Sequence, residues 1–189
     1  VGLFVGSEGM FGIATEITLR LEPLPTTVRT LLAAFPSIRA ASEAVSGIIA
    51  AGIVPAAMEM MDQACVRAVE ASIYAAGYPI DAAAVLLVEV DGSAEAVQAE
   101  AALVASRLLR RRAAGVRTAT TAAERARLWQ GRKKAFGAMG RISPDLAVQD
   151  AVVPRSTLPD ILDRVAAIAA HYRLGVANGL GIVIDADAA

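Results

Sequence analysis

Cysteine, histidine, net charge and long apolar runs are all scarce in this chain of 189 residues. Its one cysteine, Cys65, excludes an intramolecular disulfide framework and suits a reducing compartment such as the cytoplasm. Cys65 itself reads as buried filler within a helix. Its one histidine, His171, has no convergent ligands near it in sequence, so no metal site is assigned. Eighteen basic against nineteen acidic residues give a net charge of -1, which supplies no general attraction to nucleic acid or anionic lipid. The basic cluster of Arg107, Arg110, Arg111 and Arg112 closes an alanine-rich helical pattern, where cations complement the helix dipole. The hydrophobic fraction is 56%, yet the longest apolar candidate, Ile48 to Met61, is broken by Gly52, Pro55 and Glu59. No stretch reaches the ~20 apolar residues of a spanning helix. The start, Val1-Gly2-Leu3-Phe4, has neither a basic leader nor an initiating methionine, and reads as a chain that begins inside a longer one.

Hydrophobic periodicity divides the rest. Leu3 to Val5 and Ile13 to Leu21 read as strands around a glycine-rich turn, and Glu22-Pro23-Leu24-Pro25 marks a domain boundary. After it the spacing predicts a strand over Val28 to Phe35, a helix opened by Ser37 and stopped by Gly52, and a strand over Ala56 to Met61. Next come a helix capped by Asp62 and running to about Tyr74, a strand over Val85 to Val90, a helix from Ser93 to about Ala113 and a strand over Val116 to Thr118. A helix entered at the capping box Thr121-Ala122-Ala123-Glu124 follows, then a strand over Ala147 to Val153 and a helix from Leu158 to Tyr172 with Thr157 and Asp160 at its start. Ile182 to Ile184 would be the last strand. Short alternating strands and helices predict an α+β, ferredoxin-like fold, its sheet largely antiparallel with helices on one face.

Two features carry chemistry. In Gly6-Ser7-Glu8-Gly9-Met10-Phe11-Gly12, three glycines and a serine let backbone N–H groups approach a phosphate or a flavin edge. The same composition equally suits a tight turn that needs only positive φ. On the helix after Thr121, Leu128, Ala135, Phe136 and Met139 form an apolar stripe that also contains Arg132. A guanidinium there costs several kcal/mol, on the order of the penalty for an unpaired buried charge, unless an anion compensates it. That anion is either a ligand or a structural carboxylate. Arg125 shares the azimuth, so position does not single out one arginine, whereas Lys133 and Lys134 lie off the stripe.

The run Leu3-Phe-Val-Gly-Ser-Glu-Gly-Met-Phe-Gly-Ile-Ala-Thr-Glu-Ile-Thr-Leu-Arg-Leu21 resembles the GSEGTLGIxTE signature that ends the FAD-binding domain of the vanillyl-alcohol oxidase superfamily, with Met10 and Phe11 where that family prefers Thr and Leu. Leu128-Trp-Gln-Gly-Arg-Lys-Lys-Ala-Phe-Gly-Ala-Met-Gly-Arg-Ile142 resembles the LWxGRKxAFxAxGRI segment of glycolate oxidase FAD subunits, and the chain is similar to D-lactate dehydrogenases as well. The likeness continues through Ala57-Met-Glu-Met-Met-Asp62 and Ser143 to Pro154 and on to Asn178. It implies that Gly6, Ser7, Glu8, Gly9, Gly12 and Ile13 lie against FAD and that Arg132 binds a substrate carboxylate. Glu59 and Asp62 are assigned structural roles, a strand-borne partner and a helix cap.

On this resemblance, residues 1–25 end an FAD-binding domain and 26–189 form a truncated substrate cap. After Asn178 that family normally continues HAGDGNLHP, whose histidines serve metal binding and proton abstraction; here the chain reads Gly179-Leu-Gly-Ile-Val-Ile-Asp, and no catalytic residue is assigned. The function implied is that of a fragment of an FAD-dependent oxidoreductase acting on a small 2-hydroxyacid of the glycolate or D-lactate type, by hydride transfer to flavin. Its electrons would pass to partner oxidase subunits or a quinone-linked acceptor. The alternative is a non-catalytic cap or assembly module from a truncated gene.

Overall fold

The computed structural model describes residues 2–21, 23–143 and 145–182. Five strands, β1 (Thr27–Phe35), β2 (Ala57–Asp62), β3 (Ala84–Gly92), β4 (Gly115–Thr118) and β5 (Gly179–Gly181), form one sheet in the order β4-β1-β3-β2-β5. Every neighbouring pair is antiparallel. Among the described residues six α-helices accompany them: α1 (Ile38–Ile49), α2 (Gln63–Glu70), α3 (Ala94–Arg110), α4 (Ala122–Lys133), α5 (Ala135–Met139) and α6 (Leu158–His171). The order 4-1-3-2 with α1 and α3 as crossovers is the ferredoxin-like arrangement the alternation predicts, extended at its β2 edge by β5.

Caps explain most boundaries. Ser37 accepts from Ala40 N, Asp62 from Cys65 N, Ser93 from Ala96 N and Thr121 from Glu124 N, each from an extended backbone at the helix start. At α2 the helix ends at Glu70 rather than near Tyr74, because the Glu70 carboxylate turns back to accept the amides of Ala76 and Tyr78 and so organises the loop into β3. At α6 the expected cap does not form. Thr157 is helical, closes a short 3-10 turn and donates to Pro154 O, while Asp160 pairs with Arg39 of α1 at 2.8 Å.

The central strands are apolar on both faces, since Leu31, Leu32 and Ala33 are all buried, as are Val85 to Val88. Such strands need a layer on each side. One core cluster joins Leu31, Phe35, Met60, Leu86 and Val88 to α1, α3 and α6; the other joins Leu32, Met61, Val85 and Leu87 to α2, α4 and α5. The α+β class and antiparallel sheet therefore hold, with the ferredoxin-like helices on one face and a second helical layer on the other.

Three expected strands are not formed. Residues 3–5, 13–21 and 147–153 carry no ladder, and their apolar side chains stand in the open: Ile13 is 88% and Val152 95% exposed. Alternation marks a strand only where a neighbour supplies hydrogen bonds and a face to bury. Of the last expected strand, Ile182 N donates to Met58 O beyond β5, and 183–184 lie outside the described residues.

Candidate functional site

The face covered by α4 holds two arginine–carboxylate clasps side by side. Arg125 and Arg132 are seven residues apart, about two helical turns, so both look at the sheet. Beneath them, Glu89 on β3 faces Ala57 across the ladder and Glu59 on β2 faces Leu87, which makes the two carboxylates diagonal neighbours on one face.

The clasps differ in saturation. Glu89 is buried and accepts from Arg125 Nε at 2.8 Å and Nη2 at 2.6 Å, from Trp129 Nε1 at 2.5 Å and from Thr30 Oγ1 at 2.5 Å. Burial alone would raise its pKa, but the hydrogen bonds from Arg125, Thr30 and Trp129 outweigh burial and hold it below the usual carboxylate range. Its hydrogen bonds to the Glu89 carboxylate in turn raise the pKa of Arg125. Arg132 has a simpler partner: its Nη2 lies 2.8 Å and its Nε 3.1 Å from the same oxygen of Glu59, with the two side chains 22% and 25% exposed. Each arginine engages its carboxylate through Nε and Nη2, and Arg125, at 42%, is the more exposed of the two. The difference lies in the carboxylates, Glu89 being 11% exposed and shared with Trp129 and Thr30 while Glu59 is 25% exposed and receives Arg132. This distinction is invisible in the helical stripe.

The local sequence explains how Arg132 is held. Leu128 is fully buried, and Tyr78 donates to its carbonyl, anchoring the middle of α4. Gly131 is packed so closely that a Cβ there would sit 3.0 Å from Ala76 Cβ and from Tyr78 Cε2 and Oη. The expected stripe does not run through one helix: α4 closes at Lys134, and Phe136 turns outward to 62% exposure while Ala135 and Ala138 pack inward. Lys134 lies 5.9 Å from the Tyr74 ring centre, away from the clasps. Over the Arg132–Glu59 pair runs β5, contributing glycines on that side: a Cβ on Gly179 would lie 3.8 Å from Arg132 Cζ, and one on Gly181 3.5 Å from Glu59 Oε2. Next to it Asp62, besides capping α2, accepts both the backbone N–H and Nδ2 of Asn178 at 2.7 and 2.8 Å, tying β5 to β2. Glu59 and Asp62 take the partner and cap roles expected of them.

The glycine-rich turn stands apart. Its hydrogen bonds run from Ser7 N to Phe4 O and from Met10 N to Ser7 O. Gly6, Glu8, Gly9 and Gly12 all have positive φ, and only Ser7 of the turn is buried. A Cβ on Gly6 or Gly9 would meet nothing within 4 Å, so those glycines leave bare backbone that a flat ligand could approach. Ile13 is exposed. His171 packs edge-on against Tyr172, and no group of three or more metal-ligating side chains occurs among the described residues. Cys65 is buried, and burial pushes its thiol up to about 12, as inert filler requires.

The Glu89 network was not anticipated from sequence, although one signal existed: a lone glutamate inside the apolar run Val85-Leu-Leu-Val-Glu-Val90 must find donors. No helix of the described residues is long and apolar enough to cross a membrane.

A family model described as "FAD linked oxidases, C-terminal domain" matches residues 24–181. The glycolate oxidase subunit GlcD of Escherichia coli strain K12 is 49% identical over 178 residues, 94% of this chain and 36% of that protein. The subunit of the same name from Bacillus subtilis strain 168 is 41% identical over 174 residues, 92% and 37%. A mitochondrial D-lactate dehydrogenase [cytochrome] of Arabidopsis thaliana is 27% identical over 164 residues, 86% and 28%. Among solved structures, an alkyldihydroxyacetonephosphate synthase shares the fold with a TM-score of 0.64 at 17% identity, over 90% of this chain and 36% of that one. The chain thus spans little more than a third of the glycolate oxidase subunits it matches.

Proposed function

The chain belongs to the FAD-linked oxidases through their C-terminal domain, and on that premise we propose that it is the substrate-side part of an FAD-dependent oxidoreductase that oxidises a short 2-hydroxyacid. The observation that carries this reading is Arg132, held through Nε and Nη2 on one oxygen of Glu59, whose remaining donors suit a carboxylate. A guanidinium offers two parallel N–H groups at carboxylate spacing, which a lysine does not. The 49% and 41% identical relatives named for glycolate oxidase favour glycolate as the substrate, with a D-lactate-type acid as the variant.

Residues 1–25 are assigned to the end of a flavin-binding domain and 26–189 to the cap. Gly6, Ser7, Glu8, Gly9, Gly12 and Ile13 would line one side of the cofactor with backbone and small side chains. Bound FAD would take up the two electrons released as the alcohol carbon becomes a carbonyl. Arg132 would fix the substrate by its carboxylate, so that the carbon bearing the hydroxyl is presented in one orientation. Partner subunits or a quinone-linked acceptor would then receive the electrons, in the cytoplasm.

A purely structural Arg132 is the competing reading, and its pair with Glu59 favours it. The two separate on Arg132→Lys in a complete, flavin-loaded parent protein that also carries the flavin-binding half. The anchor reading expects kcat/KM for glycolate to fall by about 1.5–3 kcal/mol, one charge-assisted hydrogen bond, with the melting temperature kept. Lys134→Ala, on a different face of the helix, should leave kcat/KM unchanged. Turnover that survives Arg132→Lys, or that falls only in step with unfolding, makes Arg132 structural.

A further inference from the structure

Resting on that reading of Arg132, we infer that Glu59 is its positioning residue: it grips the inner edge of the guanidinium and leaves the outer donors turned to an incoming carboxylate. Both contacts of the pair, from Nε and from Nη2, converge on one oxygen of Glu59. They lie on the side of the guanidinium nearest its own stem. Nη1 and the second hydrogen of Nη2 point away from that side, and together they are the two parallel donors that a carboxylate takes bidentately. A ligand carboxylate can therefore join the pair without displacing Glu59.

The surroundings fit a held guanidinium whose outer edge meets no neighbouring side chain from β5. Gly179 would place a Cβ almost equally far from Cζ, Nη2 and Nη1, at 3.8, 3.9 and 4.0 Å, so β5 passes over the flat face of the group and not across its outer edge. Gly181 does the same for the Glu59 carboxylate. The strand that flanks the pair thus adds no side chain to it, and Asp62 holds that strand in place through Asn178. The neighbouring clasp shows the contrast. Glu89 takes both the Nε and Nη2 contacts of Arg125 on its two oxygens and adds Trp129 and Thr30, a closed arrangement that holds α4 to the sheet. Glu59 receives only Arg132 among these donors, which suits aiming a side chain more than anchoring a helix. Fixing a long arginine before the ligand arrives lowers the ordering cost of binding.

The test is a glycolate titration of the 15N-labelled chain, reading the side-chain N–H signals of Arg132. The inference expects a protected Nε–H signal in the free chain that persists when glycolate is added, while the Nη signals shift. Glu59→Gln should lose the protection and bind glycolate about ten-fold more weakly, a change of about 1.4 kcal/mol. Glu59→Asp, a shortened carboxylate, should fall between the two, with thermal melts checking that each variant is folded. Loss of the Nε–H protection when glycolate binds, or equal or tighter binding by Glu59→Gln, would show that Glu59 competes with the ligand, and the inference falls. Arg132 signals that do not move in the wild type, with glycolate binding unchanged in Arg132→Lys, would sink the anchor reading itself.

Discussion

At the scale of single residues, α4 depends on a glycine in an unusual place. Mid-helix glycine costs up to about 1 kcal/mol against alanine, so Gly131→Ala should stabilise an isolated helix. In the fold the added Cβ would press at 3.0 Å on Ala76 and on the Tyr78 ring, which is itself tied to the Leu128 carbonyl. Overpacking of this kind costs about 1–3 kcal/mol and exceeds the propensity gain. Gly131→Ala is therefore expected to lower the melting temperature and, through displacement of Tyr78, to disturb the helix just before Arg132. A rise in melting temperature would show that the Ala76–Tyr78 loop yields freely. The sequence showed that glycine within a recognisable motif, but its reason lies in a loop more than fifty residues earlier, and no periodicity could reveal that.

At the scale of elements, one helix sets two arginines on two carboxylates, of which Glu89 is the more enclosed, and acid should reveal that pair. The Glu89 pKa is lowered in the folded protein, so its contribution to stability is present above the unfolded carboxyl value and is lost as pH falls through the folded value. Glu89→Gln should destabilise the protein by about 1–3 kcal/mol at neutral pH, the range for a buried partner left unsatisfied. That deficit should shrink as pH drops below about 4.3, the ordinary glutamate value, because the wild type loses the same interaction. Urea midpoints of both proteins across that range measure it, and a deficit independent of pH would mean that Glu89 acts by packing alone. The helix and its capping box were legible from Thr121 and Glu124, whose carboxylate in fact accepts from Thr120 N at 2.9 Å. Which carboxylate each arginine met depended on strand register, through Ala57 opposite Glu89, and register is not written in α4.

At the scale of the whole molecule, the first stretch of the chain takes no part in the core. Leu3, Met10, Ile13, Ile17, Leu19 and Leu21 are all more than two-thirds exposed, and the regular fold begins at Thr27. Deleting residues 1–24 should leave the melting temperature unchanged within error, as measured by circular dichroism, because little apolar burial is lost. A clear drop would mean that the segment packs on the cap. The same exposure bears on the cofactor. On the proposed reading the turn at Gly6 to Gly12 would offer one wall, and small-molecule affinity follows enclosure, so this chain purified alone should hold no stoichiometric flavin by its absorbance spectrum. A yellow protein would show a more complete site within these residues.

Sequence alone determined the elements whose signals are local: the capped helix starts at Ser37, Asp62, Ser93 and Thr121, the β-branched run of β3, and the interleaved order that makes a ferredoxin-like sheet. It also marked Arg132 and Glu59 as a charge and a carboxylate that each needed a partner. Only the tertiary structure decided that they partner each other, that Arg125 pairs with Glu89, and that a second helical layer covers the sheet. It also decided that residues 13–21 and 147–153 form no strand. The physical reason is common to all of these. A cap or an amphipathic stripe is settled within one turn of chain, whereas a strand, an ion pair and a covered face exist only through what another part of the molecule brings against them.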